Sequence, residues 1–377
     1  AAKIVDYLKK VKELNQPAAA ITDHGNLYGA MEFVQKANDL GIKPIIGYEA
    51  YITPGSRFDR PDRENNKRYH LTLLAENNIG YQNLVELVSK AYTEGYYYKP
   101  RIDYELLEQH HDGLIALSGC LGGELAQHLA PDGSVEEGNT SNERSFEKAL
   151  EVAKKYQSIF GKNNYFIEIH NHGIKQQLDI LDDLVEIAEI IEAPLVAAND
   201  SHYVEENGAE AHDALLCVQT NRTLDDESRF RFDGSGYYVK SSEEMRKLFP
   251  QDKYPDACDN TIAIADRVNY EFNFDNSYLP DFPIDEKNVS PEELLKTKVY
   301  EGGKQKYGSL TSEIIERIDY ELDVINSMGF ASYFLIVGDL IEFSKKRNIR
   351  TGAGRGSAAG SIVSYCLGIT GIEPLEY

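Results

Sequence analysis

The sequence is poor in cysteine, and its four cysteines, Cys120, Cys217, Cys258 and Cys366, stand far apart. No CxxC pair occurs, which argues against a zinc ribbon or a disulfide framework and makes a reducing, cytoplasmic setting the default. Long apolar runs are also lacking: the longest, near residues 334–337, is far too short to cross a bilayer. No signal peptide is apparent. We therefore expect a cytoplasmic protein without a membrane partner.

Basic residues are scarce as well. The 377 residues include 39 lysines and arginines against 62 aspartates and glutamates, which gives a net charge of −23. This balance argues against sequence-independent nucleic-acid binding by the whole chain, but it allows a local basic groove or acids gathered around metal ions. The length favours two or three domains with a sizeable core.

Helical and strand-like patterns alternate over about the first 250 residues. The strand-like runs are at 18–21, 44–48, 70–75, 114–117, 165–169 and 195–198. A helical stretch at 2–14 precedes the first of them, and those between them include 27–39, 80–92, 143–157 and 174–192. Alternation of this kind predicts a parallel sheet or barrel. Two polar insertions, 55–67 and 130–142, interrupt the pattern and are predicted to be loops.

A proline-marked stretch over 272–290 separates this region from one of different texture, so we place a domain boundary near 270. Helices are predicted at 291–306, 311–328 and 332–346. A glycine-rich turn over 352–361 then runs into an apolar, helix-like segment, with Lys345, Lys346, Arg347, Arg350 and Arg355 close by. Backbone amides at such a turn can bind an anion. The alternative is an ordinary capped helix after a surface loop.

Several strands of the first region end in residues that bind transition metals. Asp23 and His24 follow the first strand-like run, Glu49 ends the second, Cys120 follows the fourth, Glu168 and His170 end the fifth, and Asp200 and His202 follow the sixth. Imidazole, carboxylate and thiolate are the ligands of zinc, manganese and iron, and active sites of parallel α/β folds lie at the carboxyl ends of strands. Strand spacing would put Asp200 and His202 on one side of the backbone.

Simpler interpretations exist for each of these residues. Asp23 could be a turn residue before Gly25, Cys120 a small buried hydrophobe, and Glu168 with His170 a solvated strand face. His110–His111 and His170/His172 are taken as structural by default. His70 opens its apolar run, so by position it belongs at the site only if that strand begins earlier or bends.

Long consecutive motifs resemble the polymerase-and-histidinol-phosphatase (PHP) domain and the opening palm of bacterial replicative DNA polymerase III alpha subunits. The PHP-like motifs are Thr22–Gly29, Pro44–Glu49, Tyr69–Ala75, Leu117–Gly123 and Asn199–Tyr203; the palm-like motifs are Met328–Phe330, Tyr333–Val337 and Gly354–Ser361. The resemblance spans the whole chain. It implies a PHP metal-binding domain at 1–269, a linker at 270–290 and the N-terminal part of a palm at 291–377.

The implied fold is α/β: a distorted seven-stranded βα barrel of PHP type, with its first strand missing, followed by a mostly helical partial palm of nucleotidyltransferase type. The implied metal ligands are His24, Glu49, His70, Cys120, Asp200 and His202. They would hold zinc or manganese, with up to three ions in a complete domain. The resemblance does not extend to His170, where similar proteins tend to carry an amide. The resemblance also implies a His-x-His strand that would precede this chain, so the partial site is expected to bind metal weakly or not at all.

In the palm, the resemblance assigns Arg355, Gly356 and Ser357 to the phosphates of an incoming nucleotide. The implied reaction is Mg²⁺-dependent transfer of dNMP from a dNTP to the 3′ end of a primer on template DNA. The palm's catalytic carboxylates would lie beyond Tyr377, so the chain by itself is expected to be inactive as a polymerase. A sliding clamp and other replisome subunits are the implied partners of the full protein.

The PHP region could also be a 3′→5′ exonuclease or a structural platform. Retention of six metal-type residues favours an intact site. A stand-alone PHP phosphoesterase is a further alternative, which the glycine-rich turn at 354–361 disfavours.

Overall fold

A computed structural model of the chain describes residues 2–62, 65–131, 143–272, 274, 279–284 and 289–377. The chain divides into two compact units, Ala1–Phe272 and Asn273–Tyr377. The loop predicted at 130–142 falls almost entirely outside the described residues, and so does part of the linker predicted at 270–290.

The first unit is built on a curled, mixed sheet of seven strands. These are β1 (Ala18–Ile21), β2 (Lys43–Ile52), β3 (Tyr69–Ala75), β4 (Arg101–Ile102), β5 (Leu114–Leu117), β6 (Tyr165–Ile169) and β7 (Leu195–Ala197). The order is β1-β2-β3-β5-β6-β7, and the short β4 pairs with the end of β2. The partial barrel predicted from the sequence is thereby confirmed.

One strand departs from the parallel arrangement that the alternating pattern predicted. β3 runs antiparallel to both of its neighbours, β2 and β5, whereas the other pairs in the sheet are parallel. The segment between β2 and β3 contains no helix in its described residues. A parallel pair needs a crossover, usually a helix, whereas an antiparallel pair does not. The polar insertion at 55–67 is therefore the connection that reverses the chain.

The described residues of the first unit form ten α-helices: α1 (Ile4–Glu13), α2 (Ala30–Leu40), α3 (Asn78–Thr93), α4 (Tyr104–Gln109), α5 (Glu124–Leu129), α6 (Phe146–Phe160), α7 (Lys175–Ile191), α8 (Ala209–Thr220), α9 (Ser242–Leu248) and α10 (Asp259–Arg267). Side chains fix several of their starts: the Asn77 side chain accepts from the Gly80 amide and Ser145 from the Lys148 amide. Such caps satisfy amides that have no partner within the helix.

Apolar residues fill both faces of the sheet. One face packs against α2, α3, α6 and α7 in the largest core cluster. The inner face carries Ile45, Leu74, Ile115, Leu117, Phe166 and Val196, covered by residues of α10. Because successive side chains of a strand point to opposite faces, Glu49, four residues after Ile45 on β2, lies on the same inner face as Ile45. The inner face therefore leads from an apolar floor to a polar edge.

Glu124, the first residue of α5, is a buried carboxyl that accepts hydrogen bonds from the hydroxyls of Tyr104 and, at 2.9 Å, Tyr156. Burial raises its pKa more than these hydrogen bonds lower it. The folded state thus holds a proton to higher pH than the unfolded state does. Stability should therefore fall as pH rises from the unfolded pKa, about 4.3, through the raised folded pKa.

We expect Glu124→Gln to remove this part of the pH dependence, because the amide cannot ionise. Urea denaturation followed by far-ultraviolet circular dichroism, repeated between pH 5 and 8, measures the effect. Glu151→Gln, on an exposed position of α6, is the control and should keep the slope of the unchanged chain. Parallel curves for the chain and for Glu124→Gln would contradict the prediction.

The second unit is helical: α11 (Pro291–Tyr307), α12 (Ser312–Ser327), α13 (Ala331–Lys346) and the short α14 (Ile362–Cys366), with a 3₁₀ turn at Gly356–Gly360. The three helices predicted before the glycine-rich turn are confirmed. α11 begins at a capping box between Ser290 and Glu293. α14 crosses α11 at Gly302, where an added Cβ would lie 2.0 Å from the Cys366 carbonyl oxygen.

Among the described residues, no single helix is long and apolar enough to cross a membrane. The pair α12 and α13 meets that length and composition test only when the two are taken together, and it is bent by 115°.

Candidate metal centre

Three of the predicted ligands converge at the polar edge of the inner face. The ligand atoms of His24, Glu49 and His70 all lie within 4.8 Å of one another. The Glu49 carboxylate is the common partner: Oε2 is 3.0 Å from His24 Nδ1, and Oε1 is 2.6 Å from His70 Nδ1. Two imidazoles and a buried carboxylate form a donor set that fits zinc or another transition metal.

A tight backbone connection holds His24 beside Glu49. The Gly25 amide donates to the Glu49 carbonyl at 2.8 Å, and the Glu49 amide donates to the Asp23 carbonyl at 3.0 Å. Gly25 has φ +68°, and an added Cβ would lie 2.9 Å from Pro100 Cγ. The motif needs glycine at this position, since a side chain would be strained and crowded.

The reversal of β3 explains how His70 reaches the site. His70 is near the start of its strand, as the sequence showed, but the start of an antiparallel strand lies at the same sheet edge as the ends of its neighbours. The strand does not need to begin earlier or to bend. The His70 amide also donates to the Gly122 carbonyl at 2.8 Å, which ties β3 to the turn that carries Cys120.

Cys120 contacts two members of this cluster. Its Sγ is 3.6 Å from Glu49 Oε1 and 3.5 Å from His70 Nδ1. Burial raises the pKa of the thiol to about 12, and the Glu49 charge adds to this. A bound metal would reverse that preference, because a coordinating thiol is deprotonated by the ion.

Asp200 and His202 lie next to the cluster but not within it. The rings of His202 and His24 are 6.1 Å apart, and Asp200 Oδ1 is 3.6 Å from His202 Nδ1. The predicted strand geometry for this pair is wrong: β7 ends at Ala197, and Asp200 has φ +45°. A left-handed residue in the loop after the strand, rather than strand alternation, orients these two side chains.

The cluster is electrostatically coupled. Burial alone would raise the pKa of Glu49, but His70 and His24 outweigh it and hold that pKa well below its usual range. In return, Glu49 raises the pKa of His24, against the opposing effect of burial. A carboxylate that stays ionised at the centre of the cluster attracts a cation.

Tyr51, Glu168 and His170 lie beside the cluster, although none of them was among the predicted metal ligands. The Tyr51 ring is 5.3 Å from the His70 ring and 6.2 Å from the His24 ring. Glu168 and His170 are both buried, so the interpretation as a solvated strand face is wrong. The inner-face alternation along β6, from Phe166 to Glu168, was the signal that could have placed them.

The sequence predicted that the glycine-rich turn of the second unit could bind an anion at the start of the helix that follows it. In the structure, the anion at the start of α14 is the carboxylate of Glu321. Glu321 of α12 accepts from the Ile362 and Val363 amides, both at 3.2 Å, and from the Ser361 hydroxyl at 2.8 Å. Arg317 binds the same carboxylate at 2.7 Å. The predicted phosphate-binding residues Arg355, Gly356 and Ser357 lie upstream of these amides and are exposed.

We expect Glu321→Ala to destabilise α14 by about 2 kcal/mol, because two amides, a hydroxyl and a guanidinium lose their shared acceptor. Hydrogen exchange of the 361–367 segment, read by mass spectrometry, should show faster exchange in the variant. Glu316→Ala changes an exposed glutamate of the same helix and should leave that exchange unaltered. Equal exchange in both variants would contradict the prediction.

Comparison with known proteins gives a separate family match within each of the two units. Residues 1–172 match the PHP domain family, and residues 293–377 match the family described as the bacterial DNA polymerase III alpha NTPase domain. Proteins named DNA polymerase III subunit alpha match all of this chain: 44% identity in Treponema pallidum, 43% in Mycobacterium tuberculosis and 40% in Thermus aquaticus. The chain spans 31%, 32% and 35% of those relatives' lengths. Along its whole length the chain is therefore similar to proteins named DNA polymerase III subunit alpha, about a third of whose length it spans.

Proposed function

We propose that this chain forms the PHP and first palm portion of a replicative, cytoplasmic DNA-directed DNA polymerase. The protein would transfer dNMP from dNTPs to the primer 3′ end on primer–template DNA, and would act with a sliding clamp and other replisome subunits. The proposed domains are 1–269 and 291–377, joined by a linker at 270–290. The observation that carries this proposal is the match of the whole chain to proteins named as DNA polymerase III alpha subunits.

In the palm portion, Arg355, Gly356 and Ser357 would hold the nucleotide phosphates, with Mg²⁺ as the ion of the complete protein. Gly356 has φ +59°, a conformation that glycine adopts without strain, and it opens the exposed 3₁₀ turn. Backbone amides in such a turn and a neighbouring guanidinium suit a phosphate group.

In the PHP portion, the proposed activity is 3′→5′ removal of nucleotides at a zinc or manganese centre of up to three ions. His24, Glu49 and His70 would hold the metal, with Cys120, Asp200 and His202 as the remaining ligands. When bound, such an ion supplies Lewis-acid activation of a phosphodiester. The residues themselves fix the donor geometry: Glu49 orients both imidazoles, and its burial keeps water from competing for its oxygens.

Two measurements on the full chain test the PHP proposal. Metal content after reloading the metal-free chain with Zn²⁺ or Mn²⁺ reports binding. Stepwise shortening of a 5′-labelled single-stranded oligonucleotide from its 3′ end reports hydrolysis. We expect metal to bind only weakly and the shortening to require it, and we expect His202→Ala to lose hydrolysis while keeping the circular dichroism of the unchanged chain. Metal binding without shortening would instead indicate a structural platform, and absence of metal would reject the centre.

A further inference from the structure

Glu168 and His170 form a buried pair at the same sheet edge as the metal cluster. Glu168 Oε1 is 2.9 Å from His170 Nε2. The other carboxylate oxygen, Oε2, accepts from the Gly119 amide at 3.0 Å and lies 3.3 Å from the Thr72 hydroxyl. Because both oxygens of the Glu168 carboxylate act as acceptors, Glu168 accepts a hydrogen bond from the Nε2–H group of the His170 ring. In a neutral imidazole, Nδ1 then carries the lone pair.

That lone pair has no partner among the described residues. His170 Nδ1 is buried and makes no hydrogen bond to a described residue, and only 6% of the His170 surface is exposed to solvent that could supply a partner. Buried polar atoms in native proteins almost always have a partner, so an orphan of this kind needs an explanation. His172 shows the contrast: its Nδ1 accepts from Gln177 and its Nε2 faces the Asn199 carbonyl, both at 2.8 Å.

The position of the pair points to the metal centre. Glu49 is directly opposite Thr72 in the β2–β3 register, and paired residues present their side chains on the same face. Thr72 in turn contacts Glu168, so the carboxylates of Glu49 and Glu168 flank one threonine on the inner face. His170, Glu168 and Cys120 also line one pocket, whose remaining walls are mostly apolar side chains of α5 and α7.

We propose that His170 is a further ligand of the metal centre, binding the ion through Nδ1, and that Glu168 positions its ring. This inference rests on the proposed PHP metal centre. A metal-binding histidine normally donates its other ring N–H to a carboxylate or a carbonyl, which fixes the tautomer and orients the ring. The Glu168–His170 pair already has that arrangement.

Nitrogen-15 NMR of the full chain, labelled at its nine histidines, tests the proposal directly. The metal-free chain is titrated with Zn²⁺ alone, and His170→Gln identifies the resonances of His170 by their loss. We expect His170 to have a proton on Nε2 before titration, and its Nδ1 resonance to shift together with those of His24 and His70. The His172 resonances should stay in place.

Each other outcome overturns the inference, and the two failures differ. If His24 and His70 shift while His170 does not, the metal centre stands and His170 is not a ligand. If no histidine shifts, the metal centre fails as well, and the inference fails with it. The test does not depend on the folding of His170→Gln. If that variant folds poorly, Glu168→Gln identifies the His170 resonances instead, because Glu168 contacts the His170 ring and its replacement shifts them.

Metal affinity gives an independent readout. We expect His170→Gln to bind Zn²⁺ about 10–100-fold more weakly, and Glu168→Gln to bind about tenfold more weakly, since loss of an orienting partner costs metal affinity in this range. His172→Gln is the matched control, because both nitrogens of that ring are already hydrogen-bonded within the protein. Equal affinities for the His170 and His172 variants would overturn the proposal.

Discussion

Replacing Glu49 by alanine is expected to weaken Zn²⁺ binding at least about 100-fold. Glu49 is the group on which the cluster converges, with His24 on one carboxylate oxygen and His70 on the other. Its loss removes a proposed ligand and also the acceptor that orients two others. Because loss of an orienting partner alone costs about 10–100-fold in metal affinity, the combined effect should be larger. Competition with a chromophoric chelator measures the affinity.

Glu49→Gln separates charge from shape in this experiment. The amide keeps the volume and one oxygen, but it removes the negative charge that attracts a cation. We expect it to lie between the unchanged chain and Glu49→Ala in affinity, with circular dichroism unaltered in both variants. Zn²⁺ binding by Glu49→Ala at the strength of the unchanged chain would reject Glu49 as a ligand, and with it the convergence of His24 and His70 on an ion.

The positions of six strands were predictable because their apolar runs are short and clearly bounded by polar or glycine-containing segments, whereas the two-residue β4 (Arg101–Ile102) was not predicted. Strand direction was not predictable in the same way. A run such as Tyr69–Ala75 has the same composition whether it is parallel or antiparallel to its neighbours, and only pairing decides. His70 consequently looked misplaced by position, and the family resemblance alone assigned it to the metal.

The loop that carries Asp200 and His202 shows a second limit. The i, i+2 spacing gives both residues one direction only if the strand continues through them, and β7 stops at Ala197. The residues still come close to the cluster, but through a left-handed conformation at Asp200 that no spacing rule contains. Glu321 illustrates the same point over a longer range, since nothing near residue 361 indicates that a carboxylate 40 residues away binds Ser361.

Arg57→Ala is expected to lower the free energy of unfolding by about 3–5 kcal/mol, the usual cost of breaking a buried ion pair from one side. The Arg57 guanidinium is 3.0 Å from the Asp103 carboxylate, and both side chains are below 10% exposed, at 9% and 5%. The same carboxylate caps α4 by accepting from the Leu106 amide at 3.0 Å. Urea denaturation followed by far-ultraviolet circular dichroism measures the loss.

Arg60→Ala is the matched control, because this arginine lies in the same loop, is exposed, and bonds only to carbonyl oxygens in the described structure. Its cost should stay near about 0.5 kcal/mol, as for an ordinary surface substitution. The double variant Arg57→Ala/Asp103→Asn tests the cause of this loss more sharply. If the cost of Arg57→Ala comes from a stranded buried charge, neutralising Asp103 should recover part of it, so the two changes will not add. Strict additivity would show that the loss comes from packing instead.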